Sequence, residues 1–304
     1  MKRKYAYIYL GVLLTVSLFL TACSKGADKQ SIAVSIEPQR YLLEQIVGDR
    51  WEVVTLLDRG ADPENFDPSM TAMKKAMSAQ AYMKMGHIAF EDAVVGRMSS
   101  TDRMKLFDTS KGIHLITGSH DCGHHHHEDE ADHGHSHEAD PHVWSSVKNA
   151  KVIAANMYQA VLELDPTNAD YYTKNYNELT QKLESLDNEL TDMLEPHRGE
   201  AFLVWHPSLS YFARDYGLEQ LALGMGGKES SAREMKENID LAREEGATVM
   251  FVQPEFDYKK SEELALQTGT RTVTINPLNY NWDQEMLLTA RAIANANENP
   301  LDGE

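Results

Sequence analysis

Short apolar runs alternate with longer amphipathic stretches over most of the chain, and this alternation predicts its secondary structure. The apolar runs are rich in Val, Ile, Leu and Phe, as buried strands are. Eight of them are predicted strands, at residues 31–36, 53–57, 81–85, 105–107, 201–205, 220–223, 248–252 and 272–275. Because strands that alternate with helices tend to form parallel sheets, the pattern predicts an α/β fold with mostly parallel sheets.

The middle of the chain has a different pattern, which predicts one long helix. Residues 167–194 contain no Gly or Pro, and their leucines recur at spacings of four and three, on one face of a helix. Pro166 precedes this stretch and Pro196 follows it. Such a helix would be about 42 Å long, so we expect it to join two lobes. An amphipathic helix within one larger domain is the alternative.

The N-terminus has the features of a secretory signal. Residues 2–4 are basic, and the apolar run at 9–20 is shorter than a membrane-spanning helix. The run ends at Leu-Thr-Ala-Cys, residues 20–23, which resembles the lipobox of bacterial lipoproteins. We therefore expect cleavage before Cys23, lipidation of that residue, and an extracytoplasmic protein anchored to a membrane. An ordinary cleavable signal with an incidental cysteine is the alternative.

Composition limits the classes of partner. The chain has a formal net charge of −18, with 25% charged and 42% hydrophobic residues, which is ordinary for a globular protein apart from its acidity. This acidity argues against nucleic acid as a partner, because phosphates need basic surfaces, and it suits the attraction of cations. If Cys23 is lipidated, Cys122 is the one remaining cysteine, so no intramolecular disulfide is expected.

A histidine-rich segment lies between the two sets of predicted strands. Residues 120–142 contain nine of the 13 histidines, mixed with Asp and Glu. Such a segment cannot form a packed core, so we expect a solvated loop at 120–138 that binds metal weakly. Its expected ligands are His120, His124, His125, His126, His127, His133, His135 and His137. An expression tag is the alternative, but the run is internal and interrupted by acids.

Potential ligands also follow the ends of predicted strands. Ligands of open α/β sheets bind at the carboxyl ends of strands. Glu64 lies in the acidic turn after the second strand, and His206 directly follows the fifth. Glu255 and Asn276 come just after the last two strands, and His142 follows the histidine-rich loop.

Several short motifs follow one another in a fixed order along the chain. They are GADPENFDPS at 60–69, AYMKMGHIAFE at 81–91, DPHVW at 140–144, HP, YF and YGL within 206–218, FVQPEF at 251–256 and INPL at 275–278. Together they resemble the zinc and manganese class of metal-specific solute-binding lipoproteins of ABC importers, and the resemblance runs from about residue 31 to 294. The resemblance implies two α/β lobes joined by one long backbone helix, with a metal cleft between the lobes.

The resemblance also implies a ligand set, from which this sequence departs twice. Zinc members use three histidines with a carboxylate or water, manganese members use two histidines and two carboxylates, and a histidine-rich loop marks zinc members. His142 and His206 match the pattern. Glu64 stands where the family has its first histidine, and Asn276 stands where it has its last aspartate. We therefore expect Zn²⁺ at Glu64, His142 and His206, with Asn276 or Glu255 near the fourth position and Mn²⁺ as the alternative ion.

The implied function is capture of zinc outside the cytoplasm and its delivery to a cognate ABC permease, by a monomer that catalyses no reaction. A zinc hydrolase is one alternative, but the chain has no His-Glu-x-x-His and no Gly-x-Ser-x-Gly. A surface adhesin or metal reservoir is another. The remaining strand-end histidine, His87, is expected to be structural or peripheral. The predicted organisation is a signal peptide at 1–22, a tether at 23–30, lobes at 31–165 and 197–304, and a linking helix at 166–196.

Overall fold

Two separate parallel sheets of four strands each form the framework of the protein in the computed structural model. The structure describes residues 30–98, 104–117, 139–225, 228–229, 232–254 and 258–295. The strands are β1 (Ser31–Val34), β2 (Glu52–Thr55), β3 (Ala81–Lys84), β4 (Lys105–Asp108), β5 (Ala201–Val204), β6 (Glu219–Ala222), β7 (Gly224–Met225), β8 (Lys228–Glu229), β9 (Val249–Val252) and β10 (Arg271–Thr274). The first sheet has the order β2-β1-β3-β4 and the second β10-β9-β5-β6. All neighbours within these two sheets run parallel.

Helices connect these strands. They are α1 (Glu37–Val47), α2 (Met70–Ser78), α3 (Ala89–Met98), α4 (Val147–Leu164), α5 (Ala169–Leu194), α6 (Ser210–Tyr216), α7 (Ala232–Glu244), α8 (Tyr258–Thr268) and α9 (Trp282–Ala294). Short 3₁₀ turns lie at Gly48–Arg50, Pro166–Asn168 and Glu195–His197. None of the helices in the described ranges is long and apolar enough to cross a membrane.

The predicted α/β class and all eight predicted strands are confirmed, with ends that shift by one or two residues. The first strand was expected to continue to residue 36, but it ends at Val34. Ser35 leaves the sheet because its backbone N–H is bonded by the side-chain oxygen of Gln39, 2.9 Å away. Ile36 is the N-cap of α1, whose first turn holds Pro38. The antiparallel pair β7 and β8 was not predicted.

The long helix predicted at 167–194 is α5, which begins two residues later because Pro166–Asn168 forms a 3₁₀ turn. Its leucine stripe is buried, at Leu179, Leu183, Leu186, Leu190 and Leu194. The helix packs against α1 and α4 from the first half of the chain and against α9 from the second. It therefore joins the two α/β lobes, and burial of its leucine face is what stabilises so long a helix.

One large buried cluster extends through both lobes. It includes residues of β1 and β3 from the first sheet, the leucines of α5, and residues of β5 and β9 from the second. A smaller cluster covers the other face of the second sheet. In both sheets, successive strands of the chain are added first to one side and then to the other, with the reversal between β1 and β3 and between β5 and β9. Such switch points open a crevice at the carboxyl ends of the strands, where ligands bind.

Candidate metal centre

Three predicted ligands, Glu64, His142 and His206, converge between the lobes. Each offers one ligating atom, and these atoms all lie within 4.8 Å of one another. Glu64 Oε1 is 3.7 Å from His142 Nε2 and 3.4 Å from His206 Nε2. The two Nε2 atoms are 3.1 Å apart. No other such group of three or more His, Cys, Asp or Glu side chains occurs within the described ranges.

Glu64 is held by the loop that follows β2. Asp62 fixes this loop, because its carboxylate accepts hydrogen bonds from the Glu64 backbone N–H at 2.9 Å and from the Asn65 side chain at 2.7 Å. This is the usual way in which Asp stabilises a tight turn. The Glu64 side chain is 24% exposed, so the carboxylate is open to solvent on one side.

His142 lies in the turn before α4 and is almost fully buried, with 3% of its surface exposed. The next residue, Val143, is buried, and its carbonyl accepts a hydrogen bond from the Asn149 side chain at 3.0 Å. Ser146 caps α4 by accepting the Asn149 backbone N–H. These contacts tie the turn to the first turn of the helix, so the imidazole has little freedom to move.

Asp140 orients the His142 ring. Its Oδ1 accepts hydrogen bonds from the His142 backbone N–H and from Nδ1, both at 2.9 Å. Burial acts to raise the pKa of Asp140, but these hydrogen bonds and the nearby imidazole outweigh it and hold the pKa below its ordinary value. Because the carboxylate is ionised, Nδ1 carries the proton and the Nε2 lone pair points toward Glu64 and His206.

His206 directly follows β5, as the sequence predicts, and is 7% exposed. The side chain of Gln253, which follows β9, donates to the His206 carbonyl at 3.3 Å and to Ser208 Oγ at 2.6 Å. The carboxyl ends of two neighbouring strands thus fix the backbone beside this ligand. The ring meets that of His142 nearly edge to face, with centroids 5.0 Å apart and an interplanar angle of 75°.

The donor set suits a borderline cation. Two imidazole nitrogens and one carboxylate oxygen are typical zinc ligands, and a fourth ligand completes the tetrahedron that zinc prefers. Both Nε2 atoms and the Glu64 carboxylate oxygen lie within 4.8 Å of one another, so one cation could contact all three. Ligation of a metal requires an unprotonated nitrogen on each imidazole.

A cavity of about 580 Å³ gives access to this point from solvent. Glu64, His142, Asp92 and Ala139 line it, together with His87. His87 thus lines the cavity and does not join the three ligands, which agrees with its expected peripheral place. Burial lowers its pKa, so the ring is neutral near neutral pH.

The turn that carries His87 is fixed by a buried glutamate that sequence reasoning missed. Glu91 is 2% exposed, and its carboxylate accepts the backbone N–H groups of Met85 at 2.6 Å and Gly86 at 2.7 Å, and the hydroxyl of Ser35. Burial raises its pKa, and these hydrogen bonds oppose the rise. This network holds the carboxyl ends of β1 and β3 together at the wall of the cavity.

The two ends of the histidine-rich segment meet beside the same cavity. Thr117 and Ala139 form an antiparallel bridge, and the Tyr211 hydroxyl accepts the Ile116 backbone N–H at 3.2 Å and donates to the Asp140 carbonyl at 2.8 Å. The eight predicted loop histidines, at 120, 124–127, 133, 135 and 137, lie outside the described residues, as do Cys23 and Cys122.

Two further ligands were predicted, Asn276 and Glu255. The side-chain oxygen Oδ1 of Asn276 accepts the Leu278 backbone N–H at 3.1 Å, and the backbone N–H of Asn276 donates to the Glu285 carboxylate at 2.8 Å. A side-chain oxygen that accepts a backbone N–H two residues later is typical of a tight turn. Asn276 also lines a separate cavity of about 280 Å³, together with Arg59. Glu255 lies outside the described residues.

Replacing Asp140 with alanine is expected to weaken zinc binding by about 10- to 100-fold, which is the usual cost of losing a carboxylate behind a ligating histidine. Without it, the His142 ring is free to take the other tautomer. Competition with a chromophoric chelator measures the loss. Asp187→Ala is the matched control, because this half-buried aspartate contacts Lys151 and Tyr216 and none of the residues that hold His142. Equal losses in both variants would show a general structural effect.

Comparison with known proteins gives consistent matches over nearly the whole described chain. Residues 32–296 match the family model described as zinc-uptake complex component A, periplasmic. The chain is 28% identical over 270 residues to the zinc-binding lipoprotein AdcA of Streptococcus pneumoniae, covering 86% of this chain and 53% of that protein. It thus spans about half the length of the AdcA proteins that it matches.

Other matches are of similar length to the chain. The high-affinity zinc uptake system protein ZnuA of Bacillus subtilis is 28% identical over 261 residues, covering 85% of this chain and 81% of that protein. A crystal structure of ZnuA matches with a TM-score of 0.78 and 34% identity. The match covers 89% of this chain and 100% of that one. The laminin-binding protein Lmb of Streptococcus agalactiae, with a TM-score of 0.73 and 24% identity, shares the fold.

Proposed function

Because the chain belongs to the family of the periplasmic zinc-uptake component ZnuA, we propose that it captures Zn²⁺ between its lobes and delivers the ion to a cognate ABC permease. Membership of this family confirms the resemblance noted in the sequence. Capture and delivery require binding and release and no bond-making step, so we propose no reaction. The observation that carries the proposal is the convergence of Glu64, His142 and His206 within 4.8 Å.

We propose these three residues as the protein ligands of the ion. Both histidines are buried and present Nε2 to the same point, and Glu64 supplies the negative charge. Two nitrogens and one oxygen favour zinc over manganese, which prefers oxygen ligands. A ligand role for Asn276 is less supported, since its oxygen is already bonded to Leu278, and Glu255 stays a predicted alternative.

The histidine-rich loop at 120–138 is proposed as a weak collector of zinc. Its ends lie at Thr117 and Ala139, and Ala139 lines the cavity that leads to Glu64 and His142. Ions held loosely at the loop would therefore be concentrated near the cleft, an effective-concentration gain that needs no additional contact.

The remaining parts of the proposal concern location and organisation. We infer cleavage of residues 1–22, lipidation of Cys23, a tether at 23–30 and a membrane-anchored monomer outside the cytoplasm. The names of the AdcA relatives, which include a lipoprotein, support the anchor. The buried stripe of α5 supports lobes at 31–165 and 197–304 with a linking helix at 166–196. Labelling with radioactive fatty acid, lost in Cys23→Ala, tests the anchor.

Calorimetric titration of the mature protein is expected to show one tight zinc and several weaker ones. Replacing residues 120–138 by a short Gly-Ser linker should remove the weaker sites and leave the tight one, because the three cleft ligands lie outside the loop. A full-length variant with the eight loop histidines changed to Ser is the matched control and should behave alike. Loss of tight binding in both would falsify the division between loop and cleft, and tighter binding of manganese than zinc would contradict the proposed cargo.

A further inference from the structure

A second, much smaller cavity lies beside the candidate ligands. Its volume is about 10 Å³, and both His142 and His206 line it, together with Trp144, Gln253 and Ser208. His142 and Trp144 also line the larger cavity beside Glu64, so the two cavities adjoin at these side chains. A space of this size accommodates a single water molecule when polar groups surround it.

Two buried polar atoms without a hydrogen-bond partner among the described residues belong to side chains that line this cavity. They are the indole nitrogen Nε1 of Trp144 and the amide oxygen Oε1 of Gln253, on side chains that are 3% and 2% exposed. Buried donors and acceptors are nearly always paired with protein or ordered water, because leaving them unpaired is costly. One of these atoms donates and the other accepts, which is the combination that a water molecule satisfies.

The orientation of the Gln253 amide is fixed by its other contacts. Its nitrogen Nε2 lies 3.3 Å from the carbonyl oxygen of His206, which can accept a hydrogen bond and cannot donate one. The nitrogen must therefore face His206, and the oxygen is the atom left for the cavity. Trp144 supplies the donor, and its ring lies against the His142 ring with centroids 5.1 Å apart.

We propose that Trp144 and Gln253 are positioning residues that hold one water molecule in this cavity as the fourth ligand of the ion. The water accepts from Trp144 Nε1–H and donates to Gln253 Oε1, which leaves a lone pair for the cation. The inference rests on the proposed zinc-binding function, and it assigns the fourth position to this water in place of Asn276 or Glu255. Held between a fixed donor and acceptor, the water has little orientational entropy to lose when the ion binds.

Substitutions that remove one hydrogen-bonding atom and keep most of the volume test this assignment. Gln253→Met and Trp144→Phe are each expected to weaken zinc binding by at least tenfold, the usual loss when a ligand loses its supporting contact. The double variant should lose much less than the product of the two factors, because both residues hold the same water. Thr55→Val is the matched control: Thr55 Oγ1 is also buried without a partner in the described ranges, but it lines neither cavity, so affinity should not change.

Multiplicative losses in the double variant, or unchanged affinity in either single variant, would overturn the proposal. A zinc-loaded crystal structure of the unaltered protein gives a test that does not depend on how the variants fold. It is expected to show a zinc-bound water within 3.2 Å or so of both atoms, a normal hydrogen-bond length. Asn276 or Glu255 bound to zinc in its place would overturn the water site and leave the function intact. Absence of tight zinc binding by the unaltered protein would overturn the function itself.

Discussion

Replacing His206 with alanine is expected to abolish tight zinc binding. Zinc sites with four protein ligands are worth roughly 10–16 kcal/mol, so each ligand contributes about 3 kcal/mol, or more than a hundredfold in affinity. His206 is 7% exposed and its Nε2 lies 3.1 Å from that of His142, so no other described ligand takes its place. Competition with a chelator of known zinc affinity measures the change.

His197→Ala is the matched control for this substitution. His197 lies in the 3₁₀ turn after α5, where its ring contacts Glu200 at 3.0 Å and reaches none of the three ligands. Its loss should leave zinc affinity unchanged, and both variants should keep the thermal stability of the parent protein when metal is absent. If His206→Ala bound zinc as tightly as His197→Ala, the cluster between the lobes would not be the zinc site.

The framework of the fold could be predicted because its signals are local in sequence. Each of the eight strands is a short apolar run. All residues of β5 and β9 are buried, as is usual for parallel strands covered by helices on both faces of the sheet. The leucine stripe of α5 is equally local, since its positions follow from the helical period alone. The pair β7 and β8 was missed because two-residue strands carry no periodic pattern.

The three candidate ligands could be predicted from the sequence, but most of the contacts that hold them could not. His206 and Glu64 follow strand ends, and the motif that contains His142 is distinctive, so each could be selected without knowing what lay beside it. Their partners come from distant parts of the chain. Gln253 is 47 residues from His206, and such contacts depend on how the two sheets meet. Asp140 is the exception, since an acid two residues before a histidine is a signal that sequence alone offers.

Asn276 shows where analogy with a family has to be checked against local chemistry. Its position matches a ligand position, but an amide before Pro also favours a turn, and its oxygen accepts the Leu278 N–H at 3.1 Å. An aspartate there would carry two equivalent oxygens, one for the turn and one for a metal. With asparagine, the second polar atom is an NH₂ group, which donates and cannot bind a cation.

Glu64→Ala is expected to weaken zinc binding by about a hundredfold, much more than Asn276→Ala, which should change it by about twofold or less. Glu64 brings the one negative charge among the three ligands, and its oxygen lies within 3.7 Å of both histidine nitrogens. A cation in a partly buried site depends strongly on such a charge. Glu64→Gln is the matched control, because it keeps the size and an oxygen ligand, and it should fall between the parent and Glu64→Ala.

Glu64→His tests whether the type of ligand atom at this position, nitrogen or oxygen, sets the preference for zinc over manganese. It restores the histidine that the family has at this position, so zinc should still bind tightly while the ratio of zinc to manganese affinity rises, since imidazole suits zinc and carboxylate suits manganese. Parallel titrations with both ions give that ratio, which is insensitive to partial misfolding because both ions bind the same folded fraction. A ratio that falls would contradict a ligand role for residue 64. Parent-like zinc affinity in Glu64→Ala together with a loss in Glu255→Ala would assign the carboxylate ligand to Glu255 and leave Glu64 as a solvated acid.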